Sequence, residues 1–189
     1  LAGSLGLPFI PTKSMLGTDL SKQTSTNILE STDPWNSNKA VLLLKACNPD
    51  VSIVHVQKAD VLGNVIIEGF STHEPEMIKA SKSVIVSCEK LIDTEVIRQN
   101  PEMTSIPYIF VDAVVVQPWG AYPTSTYKFY EHDEPHIKYY QSISKTDGPE
   151  YKKYLDEYIY RCPDFDNYLE LVTTTKNLNS LAESMNSVS

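Results

Sequence analysis

A run of β-branched residues at 51–56 predicts a strand that carries His55 and ends just before Gln57. His55 shares a strand face with Val51 and Ile53, so it is either a catalytic base or a core histidine satisfied by one hydrogen bond. Ligands of open α/β sheets gather beyond the carboxyl ends of the strands. Gln57 is therefore a candidate substrate contact.

Asp112 is a carboxylate inside the longest apolar run, 108–117. A buried charge must be paired or protonated, so we expect Asp112 to be either a functional acid or the partner of a helix terminus. His132 and His136 are four residues apart, but Asp-Glu-Pro at 133–135 predicts a helix start between them. Both histidines are therefore predicted to lie on the solvated surface, and no metal site is expected.

Motifs for other chemistries do not occur in the sequence. There is no Gly-x-Ser-x-Gly elbow, no Gly-x-Gly-x-x-Gly loop and no Walker loop. The three cysteines are too far apart for a disulfide framework or a zinc site, and Cys47 and Cys88 are predicted to be small buried residues. We expect a reducing, cytoplasmic setting.

Strands alternate with helices along most of the chain. Strands are predicted at 41–44, 51–56, 65–67, 83–88 and 108–117, and helices are predicted to begin near Ser71 or Thr72 and near Asp93 or Thr94. Gly63 and Asn64 predict the turn before the returning strand, and residues 21–40 predict a long surface loop. The pattern predicts an α/β fold with an open, mostly parallel sheet that is flanked by helices and covered on both faces.

The last third of the chain predicts a helical C-terminal extension. Helices are predicted from 133 to 140, from a capping box at Asp147 and Glu150, and after Asp164. The tyrosines at 151, 154 and 158 recur at helical spacing and predict a packing face, and residues 173–189 predict a polar tail.

The overall charge limits the kinds of partner. The 189 residues carry a net charge of −8 and no Lys/Arg-rich block, which argues against a nucleic-acid partner and against an anionic membrane surface. No apolar run approaches the ~18 residues that a membrane span needs. The length and the 41% hydrophobic content are enough for one sizeable core.

Seven segments, in order, resemble the alpha subunit of glutaconate CoA-transferase and its relatives, the family I CoA-transferases. They are GLPFIP (6–11), GTDL (17–20), HVQKAD with GN (55–60, 63–64), GFS (69–71), DAVV (112–115), PWGAYPTS (118–125) and YEHD (130–133). The resemblance identifies residues 1–172 as the C-terminal portion of the family's alpha-subunit domain, of the NagB/RpiA type. It also implies that the N-terminal part of that domain is absent.

The resemblance implies a heteromeric enzyme that moves CoA between an acyl-CoA and a carboxylic acid, with a dicarboxylic acyl-CoA such as glutaconyl-CoA as one candidate. In such enzymes a glutamate attacks the thioester and becomes a glutamyl-CoA thioester, which is covalent catalysis by a carboxylate. That glutamate belongs to the beta subunit, so this chain is expected to hold no catalytic nucleophile. We expect CoA or acyl-CoA as a substrate, no permanently bound cofactor, and an assembly of two alpha and two beta subunits (A2B2) or larger.

The matched motifs and strand-end positions make five residues candidates for the substrate cleft: Gln57, Asn64, Ser71, Gly120 and Ala121. Asn64 and Gly120 have an alternative role as simple turn residues. Tyr122 stands where the family usually has His. Two other functions remain open on the same scaffold: a CoA-thioester decarboxylase or ring-opening hydrolase, and a non-catalytic scaffold subunit.

Overall fold

In the computed structural model, two sheets lie within the first of two compact units, Leu1–Val116 and Gln117–Ser189. The structure describes residues 1–23, 26–175, 178 and 180–182. No helix among these residues is long and apolar enough to cross a membrane. The family-like segment predicted over 1–172 thus spans both units, and most of the tail predicted at 173–189 lies outside the described residues.

The first sheet is antiparallel, with the strand order β1-β3-β2. Its elements are β1 (Phe9–Thr12), the short helix α1 (Asp19–Gln23), β2 (Ile28–Asp33) and β3 (Asn36–Lys45), and a 3₁₀ turn at Gly3–Leu5 precedes them. The surface loop predicted over 21–40 is wrong, because 28–33 and 36–45 form a hairpin. The side chains of β2 are mostly polar and exposed, so backbone pairing holds this strand without an apolar pattern.

The second sheet has the order β5-β4-β6-β7, in which β4, β6 and β7 are parallel and β5 is antiparallel to β4. The strands are β4 (Val51–Ala59), β5 (Val65–Ile66), β6 (Ser83–Leu91) and β7 (Ala113–Val116). This arrangement confirms the predicted α/β class with an open, mostly parallel sheet. The predicted strand at 108–117 is wrong in extent, because 108–110 form a 3₁₀ turn and only 113–116 pair with β6.

Helices complete the first unit. They are α2 (Glu74–Ala80), α3 (Thr94–Gln99) and a 3₁₀ turn at Pro101–Met103. Asp93 caps α3 as predicted, by accepting a hydrogen bond from the Glu95 backbone N–H at 2.9 Å. The cap predicted for α2 is wrong: His73 precedes the helix without a side-chain bond.

The core of the second sheet is centred on one face. Val54, Val56, Val84 and Val86 pack there with Ile78 of α2, and all are nearly inaccessible to solvent. On the opposite face of β4, Val51 and Ile53 are 53% and 70% exposed. The prediction that the strands are covered on both faces is therefore wrong for β4 in this chain.

Two further sequence predictions about buried side chains are corrected. Asp112 is not buried in the core, and its Oδ2 accepts a hydrogen bond from the Val84 backbone N–H at 2.7 Å. Asp112 precedes β7, so its carboxylate bonds to the β6 backbone at the start of the β6–β7 pair instead of entering the core. Cys88 is buried as predicted, but Cys47 is exposed just beyond the end of β3.

The second unit is helical, as predicted for the C-terminal third. Its helices are α4 (Glu134–Ile143), α5 (Pro149–Leu155) with a π-helical turn at Asp156–Tyr160, and α6 (Phe165–Thr175). Asp133 and Asp164 begin α4 and α6 as predicted, by accepting hydrogen bonds from the His136 and Asn167 backbone N–H groups, each at 2.9 Å. The capping box predicted for α5 is wrong, because Gly148 precedes the helix without a side-chain bond.

Buried aromatic and polar side chains hold the second unit together. The Tyr122 hydroxyl donates to Asp133 Oδ2 at 2.6 Å, and His136 Nε2 lies 2.7 Å from the Tyr154 hydroxyl. His136 is 3% exposed, so its predicted surface position is wrong: its ring lies edge-on to those of Tyr154 and Tyr158. These contacts confirm the tyrosine packing face.

Alkaline pH should weaken this unit. Burial raises the pKa of Tyr154 to about 12, and burial followed by the bond to Asp133 raises the pKa of Tyr122 further. A raised pKa in the folded state stabilises the fold below the unfolded pKa of 10.0, and this stabilisation is lost as the pH rises through the folded pKa. We predict that an ultraviolet titration will show tyrosines that resist ionisation at pH 10 and ionise together with unfolding. Simultaneous titration of all 11 tyrosines near pH 10 in a folded chain would contradict this prediction.

Candidate functional site

The turn at the carboxyl end of β4 is built around Asp60, which is fully buried. Its Oδ1 accepts hydrogen bonds from the backbone N–H groups of Leu62 at 3.0 Å and Asn64 at 2.8 Å, and its Oδ2 accepts one from Asn64 Nδ2 at 2.8 Å. One carboxylate thus satisfies three donors, which closes the predicted turn between the two strands.

The charge of Asp60 is stabilised in place. Burial alone raises its pKa, but the hydrogen bonds from Asn64, Thr94 and Leu62 outweigh burial and lower the pKa below its ordinary value. The carboxylate therefore stays ionised at neutral pH and is fully occupied by hydrogen bonds. A group in this state supports a loop and is poorly suited to attack a thioester.

Asn64 connects this turn to a second segment. Its Oδ1 accepts a hydrogen bond from the Tyr108 backbone N–H at 3.1 Å, and the neighbouring Val65 N–H donates to the Ile106 carbonyl at 2.9 Å. Gly63 has φ +101°, and a Cβ there would lie 3.1 Å from Val111 Cβ, so both the backbone and the packing require glycine. The side chain of Asn64 is therefore used inside the chain, as in the turn-residue alternative.

Gln57 also directs its amide at the chain's own backbone. Its Nε2 donates to the Glu68 carbonyl at 3.2 Å, and its Oε1 accepts from the Glu68 N–H at 3.1 Å. The Glu68 carboxylate in turn lies 3.1 Å from Lys58 Nζ, and its side chain is only 11% exposed. The end of β4 therefore holds residue 68 by both its backbone and its side chain.

Ser71 lies in the loop that leads to α2. Its hydroxyl is 3.5 Å from Glu74 Oε2, which also accepts a hydrogen bond from the Thr72 backbone N–H at 2.8 Å. Burial raises the pKa of Glu74, but the backbone and hydroxyl donors around its carboxylate outweigh burial and lower it. Beyond Ser71, a cavity of about 540 Å³ is lined by Leu1, Cys47, Pro49, Thr72, His73, Glu76, Met77 and Ala80.

Gly120 and Ala121 belong to the second unit. The Ala121 N–H donates to the Tyr130 hydroxyl at 3.0 Å, and the Gly120 N–H donates to the Gln117 carbonyl at 3.1 Å. Trp119 stacks on Tyr130 with ring centroids 4.2 Å apart. Among the five predicted site residues, the structure thus brings Gln57 and Asn64 to the same end of β4, with Ser71 in the loop after β5.

A polar cluster that the sequence reasoning missed lies on the β4–β6 pair. His55 uses both ring nitrogens, one with Ser87 Oγ at 2.9 Å and the other with Glu89 Oε1 at 2.6 Å. It is therefore a partly buried, hydrogen-bonded histidine outside the apolar core, with two partners rather than one. The strand predicted at 83–88 stopped one residue short of Glu89; extended to Leu91, as β6 is, it places Ser87 and Glu89 on one face.

Metal binding finds no support within the described ranges, where no group of three or more His, Cys, Asp or Glu side chains is placed to hold an ion.

The sequence model of the coenzyme A transferase family matches residues 1–117, which include both sheets and the Asp60 turn. The chain belongs to the coenzyme A transferase family. It is 32% identical to the alpha subunit of glutaconate CoA-transferase from Acidaminococcus fermentans, over 94% of this chain and 60% of that protein. The chain therefore spans about three fifths of the length of this curated relative.

Two solved structures show the same family fold. The crystal structure of glutaconate coenzyme A-transferase from Acidaminococcus fermentans matches with a TM-score of 0.87 and 32% identity, over 95% of this chain and 61% of that chain. A variant of the decarboxylase AibA/AibB matches with a TM-score of 0.68 and 27% identity, over 85% and 56%. The fold predicted from the family resemblance is thus confirmed.

Loss of the Asp60 carboxylate should destabilise the fold. We predict that Asp60→Ala lowers the free energy of unfolding by roughly 2–3 kcal/mol, because hydrogen bonds to a charged group are lost and buried donors are left unsatisfied. A lowered pKa stabilises the fold above the ordinary value of 3.8, so this contribution should disappear as the pH falls below 3.8.

Denaturant unfolding at neutral and acidic pH measures both effects of Asp60→Ala. Asp19→Ala is the matched control, since the Asp19 side chain is 88% exposed and its carboxylate pairs with Lys22 three residues away. Equal unfolding free energies for Asp60→Ala and Asp19→Ala would contradict the role assigned to this turn.

Proposed function

We propose that this chain is part of the alpha subunit of a heteromeric CoA-transferase, which moves CoA between an acyl-CoA and a carboxylic acid. Family membership carries the proposal, since the match covers both sheets of the first unit. Dicarboxylic acyl-CoA thioesters are the substrate class that we favour, because the glutaconate enzyme is a relative over nearly the whole of this chain.

The attacking carboxylate is proposed to come from a beta-subunit partner. In this scheme, a partner glutamate attacks the acyl-CoA carbonyl and expels the CoA thiolate, which gives a mixed anhydride. The thiolate then attacks the glutamyl carbonyl of this anhydride, which releases the donor acid as a carboxylate and leaves glutamyl-CoA. The carboxylates at the strand ends of this chain are already engaged. Asp60 accepts three hydrogen bonds, Glu68 is paired with Lys58, and Glu89 is paired with His55.

We propose that this chain forms the wall of the cleft that binds the carboxylic acid substrate. Gln57 and Asn64 would shape the wall through the backbone that they hold, and the Ser71 hydroxyl would face the substrate. For Gly120 and Ala121, which belong to the second unit, the matched motif alone supports a role in substrate binding, and their small side chains would allow close approach of a substrate. The assembly is proposed to be an A2B2 or larger hetero-oligomer located in the cytoplasm.

A second function is supported by the likeness to the decarboxylase AibA/AibB, which shares the fold. A CoA-thioester decarboxylase, or a ring-opening hydrolase, would use the same wall with a different reactive group in the partner. The sequence of the partner separates these functions: a glutamate at the reactive position favours transfer, and a cysteine there favours the alternative. A chain with no beta-subunit partner would be a scaffold.

The purified chain should not transfer CoA by itself, because the carboxylates at its strand ends are already engaged. We predict that activity appears when the cognate beta subunit is added, and that it rises to a plateau at a fixed stoichiometry. The measurement is CoA transfer from an acyl-CoA to acetate, with native mass spectrometry of the same mixture. Transfer by this chain alone would overturn the assignment.

Gln57 provides a direct test of the wall. In the assembled enzyme, Gln57→Ala should lower kcat/KM on the order of 10-fold to 100-fold, because residue 68 loses two hydrogen bonds and the wall shifts. The subunits should stay associated. Ser142→Ala is the matched control, since its hydroxyl bonds to a carbonyl within α4. An unchanged rate for Gln57→Ala would remove Gln57 from the site.

A further inference from the structure

Polar side chains on β4 and β6 form a row on one face of the parallel sheet. His55 is the register partner of Ser87, and the pairs on either side of Gln57 place it opposite Glu89. Side chains alternate along a strand, so all four of these residues share one face. Nearer the amino ends, the same face carries the apolar side chains of residues 51, 53 and 85. The polar row thus lies toward the carboxyl edge, where ligands of open α/β sheets bind.

His55 is clamped in the middle of this row. Its Nε2 lies 2.6 Å from Glu89 Oε1, and its Nδ1 lies 2.9 Å from Ser87 Oγ. The side chains of His55 and Glu89 are only 14% and 3% exposed. A carboxylate this deeply buried is costly without a partner, so the imidazole and Glu89 stabilise each other and join the two strands.

The order Ser-His-Glu suggests a nucleophilic triad, but the backbone geometry disfavours it. Ser87 lies inside β6, which pairs with β4 on one side and β7 on the other. The backbone N–H groups of β6 around Ser87 are therefore used in the two ladders and are not available to stabilise an oxyanion beside Ser87. The cluster is better suited to hold a position than to attack a carbonyl.

Gln57 is the residue that this cluster could hold in position. It lies two residues beyond His55 on the same strand, between the register pairs Val56–Cys88 and Lys58–Lys90. The Gln57 amide makes two hydrogen bonds to the backbone of Glu68, so a shift of β4 against β6 at this level would move the segment around residue 68. The Gln57 amide and the hydrogen-bonded pair of His55 and Glu89 are thus neighbours along the same two strands.

We propose that His55 and Glu89 are a positioning pair that sets Gln57, and through it the Glu68 segment, in the substrate cleft. This inference rests on the proposed function, since it names residues that act on the same cleft without touching the substrate. Glu89→Gln should lower kcat/KM on the order of 10-fold. The Glu89→Gln change should lower kcat/KM because Gln57 is no longer held in place.

A double-mutant cycle in the assembled enzyme tests this path, with kcat/KM measured for Glu89→Gln, Gln57→Ala and the double variant. The double variant should be no slower than the slower single variant, because both changes release the same support. Fold losses that multiply, or a wild-type rate for Glu89→Gln, would overturn the proposal. Ser52→Ala is the matched control: it removes the 2.5 Å contact with Ser81 near the opposite end of β4 and should keep the wild-type rate.

Replacements of His55 separate positioning from general loss of structure. His55→Gln keeps an N–H that can donate to Glu89 and should retain most of the activity, whereas His55→Phe should not. If both variants unfold at the wild-type denaturant midpoint and lose activity equally, the hydrogen bond between His55 and Glu89 is not what positions the cleft. Covalent labelling of Ser87 by a fluorophosphonate probe would also overturn the proposal, because it would show an activated nucleophile.

Amide hydrogen exchange tests the link between Glu89 and Gln57 without an activity measurement. The Glu68 N–H donates to Gln57 Oε1, so Glu89→Gln and Gln57→Ala should both speed its exchange, while Ser52→Ala should leave it unchanged. If the Glu68 N–H exchanges faster in Glu89→Gln and Gln57→Ala but the wild-type complex transfers no CoA, the proposed function is refuted, while the structural link from Glu89 to the Glu68 segment stands. Unchanged exchange in Glu89→Gln would refute the link even if the complex transfers CoA.

Discussion

The buried carboxylate of Asp60 sets the geometry at the carboxyl end of β4. Because it satisfies three donors in the following turn, the chain must reverse there and return as β5. Asn64 then extends the same network to the 106–108 segment. The family motif around Asp60 is therefore explained by the folding of one turn, and this turn fixes where Gln57 and the segment after β5 lie.

Two neighbouring sets of polar contacts lie near the carboxyl end of β4. Gln57 holds the backbone of Glu68, and behind Gln57 lies the pair formed by His55 and Glu89. Each of these carboxylates has a partner within the chain, which agrees with the supporting role proposed for them. A wall of this kind needs an attacking group from elsewhere, and that requirement agrees with the two-subunit scheme proposed for this family member.

The predictable parts of the fold were those with strong local patterns. The strands around 51–56 and 83–88 are rich in β-branched residues, and Asp93, Asp133 and Asp164 mark helix starts with their side chains. The hairpin at 28–45 was missed because β2 is polar and depends on backbone pairing with a partner strand. Asp112 and His136 were misplaced for a related reason, since burial is decided by which elements pack together.

The candidate site residues show the same limit of prediction from local sequence patterns. Their positions at strand ends followed from topology, but the hydrogen bonds of Gln57 and Asn64 depend on residues 11 and 44 positions away. The link between His55 and Glu89 spans 34 positions and needs the register of two parallel strands. No spacing rule within one segment could reveal these contacts.

In the proposed scheme, the covalent intermediate forms on a different chain. Incubating the assembled enzyme with an acyl-CoA and then measuring the intact mass of each polypeptide tests this scheme most directly. We expect a CoA adduct on the partner subunit and an unmodified mass for this chain. A CoA adduct carried by a glutamate or aspartate of this chain would contradict it.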